Sequence, residues 1–325
     1  MKAKYTAPIN PHRLGPFMKT IIVTGAAGLV GQNLVPRLKS RGYRVIGIDK
    51  HPANTARLRQ LHPDIEVMEA DLSAPGPWMD AFAGADAVVI NQAQIGGLDR
   101  SEFVANNVTA TERIIDAVRK HDVPYFVAIS SSVVNSEAKD FYVETKTAQE
   151  RFVDTVKTPH VVLRPTLMFG WFDRKHLGWL RRFMDRVPVF PIPGSGKFRR
   201  QPLYAGDFSA IIASAIESRI TGTYDISGRT EIDYIDIIRL IKSITGAKAR
   251  IVKIPYAAFY ALLKTYALVD KNPPFTVNQL QALVIPEVFP VIDWPKIFNV
   301  PETPLKQALE ETFLDPRYSK IVLDF

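Results

Sequence analysis

The sequence contains no cysteine and no long run of apolar residues. Without cysteine, the chain forms no disulfide, uses no thiolate nucleophile and offers no cysteine ligand to zinc. This absence agrees with a reducing compartment, and we expect a cytoplasmic protein. No stretch reaches the ~20 apolar residues that a membrane-spanning helix needs. The nearest candidate, residues 254–269, contains Lys264. It predicts an apolar helix, with contact to a membrane surface as the alternative.

Charged residues make up an ordinary 23% of the chain, but basic residues outnumber acidic ones, so the formal net charge is +8. The basic residues are scattered along the chain. Their densest groups, Arg181-Arg182 and residues 197–200, are short. We therefore expect no nucleic-acid partner and no metal site, and we prefer an anionic small-molecule substrate as the explanation of the charge.

A length of 325 residues allows one large α/β unit or a main domain with a smaller lobe. The first seventeen residues contain four prolines or glycines and no apolar core, so they do not resemble a signal peptide. We predict a disordered extension over residues 1–17, a main domain over 18–165 and a substrate lobe over 166–325. Part of this lobe returns to the main domain around residues 200–226. Met18, just before the first apolar run, is a candidate native start.

Short apolar runs alternate with helical segments in the first half of the chain. Predicted strands cover residues 20–24, 44–48, 65–69, 87–90, 125–130 and 160–164. Predicted helices cover residues 29–41, 55–61, 78–82, 101–121 and 141–156. This alternation predicts a parallel sheet with helices on both faces. Right-handed crossovers then make a Rossmann-type, doubly wound sheet that binds ligands at the carboxyl ends of its strands.

The regular alternation stops after Pro165, where prolines and glycines become frequent. Helical patterns return at residues 207–218 and 233–245, and a short strand is predicted at residues 223–226. The fold class is therefore α/β: a Rossmann-type sheet with a smaller, mostly C-terminal substrate lobe.

Gly25, Gly28 and Gly31 lie between the first predicted strand and the first helix. Glycines let the backbone turn tightly, approach a pyrophosphate and pack the helix against the sheet, and the helix N-terminus attracts the phosphates. The spacing G-x-x-G-x-x-G differs from the commoner G-x-G-x-x-G. Its position between strand and helix nevertheless favours a dinucleotide site over a purely structural turn.

Asp49 ends the second predicted strand. A carboxylate there accepts both ribose hydroxyls and repels a 2′-phosphate, which predicts NAD rather than NADP. Lys50 and Arg57 lie nearby and keep NADP as the less favoured alternative. Asp71 follows the third strand, where it would meet the adenine edge; a helix N-cap is the alternative.

Tyr142 and Lys146 are four residues apart, so both face one side of a helix, and they follow the serines at positions 130, 131 and 132. An ammonium close to a phenol lowers the phenol pKa from about 10. The tyrosine would then exchange a proton with an alcohol or carbonyl while the nicotinamide exchanges a hydride. A serine at the end of the fifth strand would hold the same oxygen in line.

These residues resemble the extended short-chain dehydrogenase/reductase family. Residues 24–31 are similar to its T-G-x-x-G-x-x-G motif, and residues 142–146 to its Y-x-x-x-K motif. Other similarities exist to its H-L-A-A, N-V-x-G-T, R-P-x-x-x-Y-G and R-D-F-x-x-V-x-D motifs, at residues 91–94, 107–111, 164–170 and 200–207, and the full set is specific to the family. The resemblance covers residues 19–246.

The resemblance implies a catalytic set of Ser131, Tyr142 and Lys146, with Ser132 in reserve. Ser132 and Arg200 are predicted to bind substrate, Arg200 through bidentate contact with a diphosphate, although a plain surface arginine is the alternative. The predicted cofactor contacts are Gly25, Gly28, Leu29, Val30, Gly31, Asp49, Lys50, Asp71, Leu72, Ala93, Asn107, Ser130, Tyr142, Lys146, Pro165, Thr166 and Leu167.

Departures from the family motifs narrow the chemistry. The 4,6-dehydratases carry an Asp-Glu pair where this chain has Ser132-Val133, so dehydration lacks its acid and base. Epimerase-reductases that form GDP-fucose use a cysteine, which is absent here. Leu167 replaces the asparagine that is usual in the family, which weakens one expected contact to a sugar diphosphate.

The leading hypothesis is an NAD-dependent epimerase or ketoreductase of a nucleotide-activated sugar. Tyr142 would move the hydroxyl proton, Lys146 would hold the ribose and lower the Tyr142 pKa, and Ser131 would polarise the carbonyl. A homodimer through the helices after strands four and five is compatible with the pattern.

Two other classes stay open. An alcohol or ketone of steroid or terpenoid type would suit an aromatic cluster of Trp171, Phe172, Trp179 and Phe183. A non-catalytic NAD(P)-binding scaffold is the third class, and the intact Ser-Tyr-Lys set argues against it.

Overall fold

Short strands and helices alternate through the computed structural model, which describes residues 18–137, 140–269 and 276–324. The extension predicted over residues 1–17 lies outside the described residues. The strands are β1 Thr20–Thr24, β2 Arg44–Asp49, β3 Glu66–Glu69, β4 Ala87–Ile90, β5 Phe126–Ile129, β6 His160–Pro165, β7 Met168–Phe169, β8 Val189–Pro193, β9 Arg199–Arg200, β10 Leu203–Tyr204, β11 Gly222–Ile226, β12 Ile232–Asp233 and β13 Arg250–Ile254.

The α-helices are α1 Leu29–Ser40, α2 Pro52–Leu61, α3 Arg100–Phe103, α4 Ala110–Lys120, α5 Phe141–Val153, α6 Leu177–Arg186, α7 Ala205–Ser218, α8 Tyr234–Thr245, α9 Tyr256–Val269, α10 Val277–Val284, α11 Trp294–Phe298 and α12 Leu305–Leu314. Within the described ranges, 3₁₀ turns cover Pro77–Phe82 and Ser132–Asn135, and a π-helical turn covers Val104–Thr109. Among the described residues, no helix is both long and apolar enough to cross a bilayer.

Seven strands form the main sheet in the order β11-β6-β5-β4-β1-β2-β3, and every neighbouring pair is parallel. The chain runs outward from β1 to β3 and then returns to β4 on the other side of β1. Loops after β1 and β4 therefore leave in opposite directions, and a crevice opens at their carboxyl ends. The predicted Rossmann-type fold is confirmed.

Alternate residues of the strands enter two apolar cores, one on each face of the sheet. Ile21 and Val23 of β1 pack with Leu34 of α1 and Ile212 of α7. Ile22, between them, packs into the opposite core, which includes α4. Each such fully buried side chain stabilises the fold by about 1.5–3 kcal/mol, which explains the nearly continuous apolar strands.

A third core lies in the second half of the chain. It joins Phe190 and Ile192 of β8 to Ile238 of α8 and Leu309 of α12. Strands β8 and β13 form a parallel pair beside it, whereas β11 and α7 pack with the main sheet. The division of the chain at residue 165 stays a prediction.

The end of the described chain returns to the first half. Asn54 of α2 donates from its side chain to the carbonyl oxygen of Asp324 at 2.6 Å and accepts from the Asp324 N–H at 2.9 Å. Tyr318 packs against Trp171 with ring centroids 4.6 Å apart. The contacts between Asn54 and Asp324 connect residues that are 270 positions apart in the sequence.

The long helix predicted over residues 101–121 is wrong in detail. The segment is α3, the π-helical turn Val104–Thr109 and α4. The wider hydrogen-bonded ring of a π turn inserts an extra residue, which propensity alone does not reveal. Helix α2 also begins earlier than predicted, at Pro52, because proline suits the first helical turn and His51 accepts from the Asn54 N–H.

Candidate active site

Gly25 and Gly31 are required by the chain itself. Gly25 has a φ of +60°, and a β-carbon there would lie 2.8 Å from the backbone of Gln92. A β-carbon on Gly31 would lie 2.5 Å from the backbone of Ala26. Both distances are shorter than real contacts, so the turn and the close approach of α1 need glycine at these positions.

Gly28 is different, since a β-carbon there would meet only the carbonyl oxygen of Gly25, at 3.5 Å. The chain thus has room for a side chain at this position. Gly28 is also the N-cap of α1, which has no side-chain cap and no acidic residue in its first turn. An uncapped helix N-terminus with open space before it fits a pyrophosphate group.

The Asp49 carboxylate holds the glycine turn in place. One oxygen accepts from the Ala27 N–H and the other from the His51 N–H, each at 3.0 Å. Burial raises the pKa of Asp49, against which these backbone hydrogen bonds act. The carboxylate lies at the end of β2, where a ribose would be met. Its predicted contact with a cofactor stays a prediction.

Both cations that favour the NADP alternative have partners in the structure. The Lys50 ammonium donates to the Asn106 side-chain oxygen at 2.7 Å, and Arg57 donates to Gln60 at 2.5 Å. Asp71 accepts from the N–H and hydroxyl of Ser73, at 2.9 and 2.7 Å. Asp71 therefore closes a local turn, and the alternative of a helix N-cap is wrong because the next helical turn begins at Pro77.

Asn107 connects the loop after β4 to helix α5. Its side chain accepts from the Gln94 N–H at 2.7 Å and donates to the Gln94 carbonyl at 3.1 Å. It also donates to the Thr145 hydroxyl at 2.9 Å. Both the oxygen and the nitrogen of the Asn107 side chain are hydrogen-bonded, which fixes α5 relative to the end of β4. Ala93 lies in the same loop and is exposed.

Ser131 and Tyr142 come together at the carboxyl end of β5. A side-chain hydrogen bond from Ser131 lowers the pKa of Tyr142, but burial has the larger effect and raises it. Ser131 Oγ also accepts from the Val133 N–H at 3.4 Å, at the start of the 3₁₀ turn. A hydroxyl and a phenol thus share one position, where both could contact the oxygen of a substrate.

Lys146 is 1% exposed and lies one turn after Tyr142 on α5. Its ammonium donates to the Ile129 carbonyl at 2.7 Å and to the Gln149 side chain. Burial lowers the pKa of Lys146 to about 7, and Glu150 acts in the opposite direction. The expectation of a lowered Tyr142 pKa is wrong, because burial dominates the phenol and the Lys146 hydrogen bonds go to other groups.

Two hydroxyls next to this set are buried without a hydrogen-bond partner, those of Ser130 and Thr166. Ser130 follows β5 and Thr166 follows β6, which are neighbouring strands. A buried hydroxyl without a partner costs about 1–3 kcal/mol, so the pair fits a polar group of a bound molecule. Sequence reasoning had assigned both residues to the cofactor.

Other predicted cofactor residues differ in exposure. Val30 and Leu72 are buried in the apolar cores of the main sheet, and Leu29 packs against the cluster that contains Trp171 and Tyr318. Pro165 is buried, whereas Leu167 is 41% exposed.

Arg200 is only 8% exposed, and the backbone uses much of its hydrogen-bonding capacity. Its guanidinium donates to the carbonyl oxygens of Arg199 and Ile285, each at 2.8 Å, and to that of Leu283. Glu287 lies 3.6 Å away. Its contact with a diphosphate, like that of Ser132 with substrate, stays a prediction.

The aromatic cluster expected from the sequence is wrong, because its four members belong to two sites. Trp171 and Phe172 pack with Tyr318 of the returning chain end. Trp179 and Phe183 stack on α6 with ring centroids 5.1 Å apart. A loop that contains Asp173 lies between the two aromatic pairs in the sequence. The Asp173 carboxylate accepts from three backbone N–H groups before and within α6 and so fixes the start of this helix.

Sequence reasoning missed the polar groups that support the catalytic helix. Gln149 accepts from Lys146 and donates to the Thr111 hydroxyl at 2.8 Å. Glu150 forms an ion pair with Arg164 at 2.6 Å. Spacing gives one usable signal, because Gln149 and Glu150 lie three and four residues after Lys146 and therefore near it on the helix. In the part of the chain that the structure describes, no group of three or more His, Cys, Asp or Glu could hold a metal ion.

Comparison with known proteins places these features in a family. The sequence model of the NAD dependent epimerase/dehydratase family matches residues 21–227, which is more than half of the chain. The chain belongs to this family and is an enzyme of its NAD-dependent, extended short-chain dehydrogenase/reductase type.

Among its relatives, YtcB of Bacillus subtilis, named as an uncharacterized UDP-glucose epimerase, is 27% identical over 269 residues, covering 70% of this chain and 83% of YtcB. The ceramide reductase of Caulobacter vibrioides is 25% identical over 257 residues, 77% of either chain.

Solved structures share the fold. The UDP-glucuronic acid 4-epimerase of Bacillus cereus, in complex with NAD, has a TM-score of 0.61 and 22% identity, covering 82% of this chain and 99% of that one. A UDP-N-acetylglucosamine 4-epimerase of Methanobrevibacter ruminantium has a TM-score of 0.70 and 16% identity, covering 91% of this chain and 97% of that one.

Proposed function

We propose that this enzyme transfers hydride at a hydroxyl or keto carbon of a nucleotide-activated sugar, as an NAD-dependent epimerase or ketoreductase. The observation that carries the proposal is that Ser131 lies close enough to Tyr142 to lower the pKa of its phenol, with Lys146 on the same helix as Tyr142. The pair lies at the carboxyl end of β5, the edge of a doubly wound sheet where ligands bind. Relatives named as acting on UDP-sugars support the substrate class.

The residues present fit NAD. Gly28 leaves open space before the N-terminus of α1, which suits the pyrophosphate, and Asp49 lies where the adenosine ribose would bind. The unpartnered hydroxyls of Ser130 and Thr166 would meet the polar groups at the nicotinamide end. When bound, the cofactor would supply hydride chemistry at the substrate carbon: NAD would accept a hydride, and NADH would donate one.

Tyr142 moves the proton at the substrate oxygen. Because burial raises its pKa, the phenol is protonated at neutral pH, which is the form that donates to a keto oxygen during reduction. During oxidation of a hydroxyl, the phenolate form of Tyr142 would take up the hydroxyl proton. Ser131 donates to the same oxygen and keeps it in line. The pKa of Lys146, at about 7, means that the positive charge on this helix face is lost as pH rises through neutrality.

A second candidate is an apolar alcohol or ketone. Large apolar side chains follow the carboxyl ends of β4 and β6: Ile95 is 58% exposed, Leu98 is 99% exposed and Leu167 is 41% exposed. A diphosphate gains nothing from such groups, whereas a hydrocarbon would cover them. The likeness to a ceramide reductase favours the same candidate.

One experiment separates the candidates. The purified enzyme is incubated with NAD and, in turn, with UDP-glucose, UDP-glucuronic acid, UDP-N-acetylglucosamine and a long-chain ketone with NADH. A new UDP-sugar epimer without net NADH would support epimerisation, and NADH formation would support a redox reaction on the sugar. Consumption of NADH with the ketone alone would reject the nucleotide sugar. The Tyr142→Phe variant serves as the inactive control.

The small-molecule partner is part of this proposal. The homodimer through α4 and α5 also stays a prediction, and sedimentation of the full chain tests it.

A further inference from the structure

An apolar cavity lies in the second half of the chain, between α6, β8, α9 and α10. Its volume is about 180 Å³, and its walls include Trp179, Phe183, Phe190, Tyr234, Phe259 and Leu263. Among the described residues that line it, none is charged. An apolar cavity of about 150 Å³ is large enough to bind benzene, so this one has room for a ring or a hydrocarbon segment of similar size.

Aromatic contacts give the cavity a fixed wall. The rings of Trp179 and Phe183 are nearly parallel, at 6°, and Phe183 meets Phe190 edge to face with centroids 5.7 Å apart. Stacked and edge-to-face pairs of this kind hold each other in place. The wall is therefore formed before any ligand arrives, which lowers the entropy cost of binding.

The cavity continues onto an apolar surface. Leu262 lines the cavity and is 54% exposed, and Val252 and Tyr256 nearby are 39% and 37% exposed. A molecule with only a small ring would leave these side chains in water. A longer chain would fill the cavity and cover them as it leaves, and each buried CH₂ would add to the affinity.

We propose that this cavity binds the hydrocarbon chain of a lipid-like molecule, either a straight acyl chain or an isoprenoid chain. Binding needs only the apolar walls, so the inference does not depend on the reaction proposed above.

Calorimetric titration of the full chain with 1-butanol, 1-hexanol, 1-octanol and 1-decanol tests this inference. These probes carry no charge, so the net charge of the protein does not attract them. Affinity should rise about threefold to fourfold for each added CH₂ until the cavity is filled. An affinity independent of chain length would overturn the proposal. Farnesol is titrated beside 1-decanol: tighter binding of farnesol assigns an isoprenoid chain, and weaker binding assigns a straight chain.

Two matched variants locate the bound chain. Leu262 and Leu314 are each 54% exposed, but only Leu262 lines the cavity. Leu262→Asp should weaken 1-decanol binding at least tenfold, and Leu314→Asp less than twofold. An equal effect of the two variants would overturn the assignment. Both positions are exposed, so both variants should keep the wild-type Tm, and NAD titration gives a readout independent of the cavity.

The variant Trp179→Phe tests whether the fluorescence change on 1-decanol binding comes from the tryptophan in the cavity wall. The change in tryptophan fluorescence on adding 1-decanol should disappear in this variant, while the calorimetric affinity stays within about threefold. A fluorescence change of wild-type size in Trp179→Phe would show that the alcohol binds elsewhere.

Discussion

Lys146 donates a hydrogen bond to the carbonyl oxygen of Ile129 at 2.7 Å, which ties the catalytic helix α5 to the last residue of β5. The ammonium is buried, and its pKa falls to about 7. In the unfolded chain the same group keeps its proton up to a pH of about 10.4. Unfolding between these values takes up a proton, so the free energy of unfolding rises with pH in this window.

We therefore expect the difference in the free energy of unfolding between the wild type and Lys146→Met to shift in favour of the wild type as pH rises. The contribution of Lys146 has a maximum slope of about 1.4 kcal/mol per pH unit. Urea unfolding of both proteins between pH 7 and pH 10 measures the difference. Parallel curves would show that Lys146 keeps an ordinary pKa in the folded chain.

Tyr142→Phe should abolish turnover and leave the NAD affinity almost unchanged. The phenol is needed only when a proton moves, so the loss appears in kcat. Steady-state kinetics and NAD calorimetry measure the two effects. The control is Tyr224→Phe, which removes a phenol from β11 that donates to the carbonyl of Thr221. Turnover of Tyr142→Phe within a few-fold of wild type would reject the proposed role.

The glycines of the first turn should respond differently to alanine. Gly28→Ala should fold with wild-type Tm and lose at least tenfold in NAD affinity, because the methyl group occupies space that the chain leaves open. Gly25→Ala should lose more than about 1 kcal/mol of stability, because its φ is positive. Thermal unfolding and NAD calorimetry of both variants give the comparison. A fall in the Tm of Gly28→Ala with intact NAD affinity would contradict the proposed pyrophosphate position.

Asp49 should favour NAD at least tenfold over NADP. Its partly buried carboxylate repels a 2′-phosphate, and both nearby cations already have partners. Asp49→Asn removes the charge at nearly constant size and should reduce the preference. Titration of the two cofactors into both proteins measures it. Equal NADP affinity in the wild type would mean that Lys50 or Arg57 outweighs the carboxylate.

Arg200→Lys should raise the KM for a nucleotide sugar by roughly ten to a hundredfold, because lysine does not copy a bidentate contact. The structure adds a second expectation. Lysine also loses contacts to the carbonyls of Leu283 and Ile285, so the variant should be less stable by about 1–3 kcal/mol. Kinetics at a temperature well below the Tm separate the effects. A lowered Tm with unchanged KM would make Arg200 structural only.

The strands of the main sheet could be predicted because a strand that is buried on both faces is a continuous run of apolar residues. Residues 21–23 and 87–90 are apolar at every position, and the structure has strands there. The glycine turn could also be predicted, because a side chain at Gly25 or Gly31 would clash with nearby backbone atoms. Apolar runs and glycine spacing are local features, so they can be read from a short stretch of the sequence.

Properties that depend on distant partners were not visible. The pKa of Tyr142 depends on burial, which the four-residue spacing to Lys146 does not encode. Trp171 and Trp179 are near in sequence but pack against different elements. The partner of Lys146 is a backbone carbonyl, and every residue offers one.

The pairing of Asn54 with Asp324 also has a consequence for biosynthesis. Asn54 leaves the ribosome early, whereas Asp324 is added after all of the sheet strands have been made. Until residue 324 has left the ribosome, the side-chain amide of Asn54 therefore lacks this partner. The first strands pair as the nascent chain lengthens, whereas the contact between Asn54 and Asp324 forms only after both residues have been made.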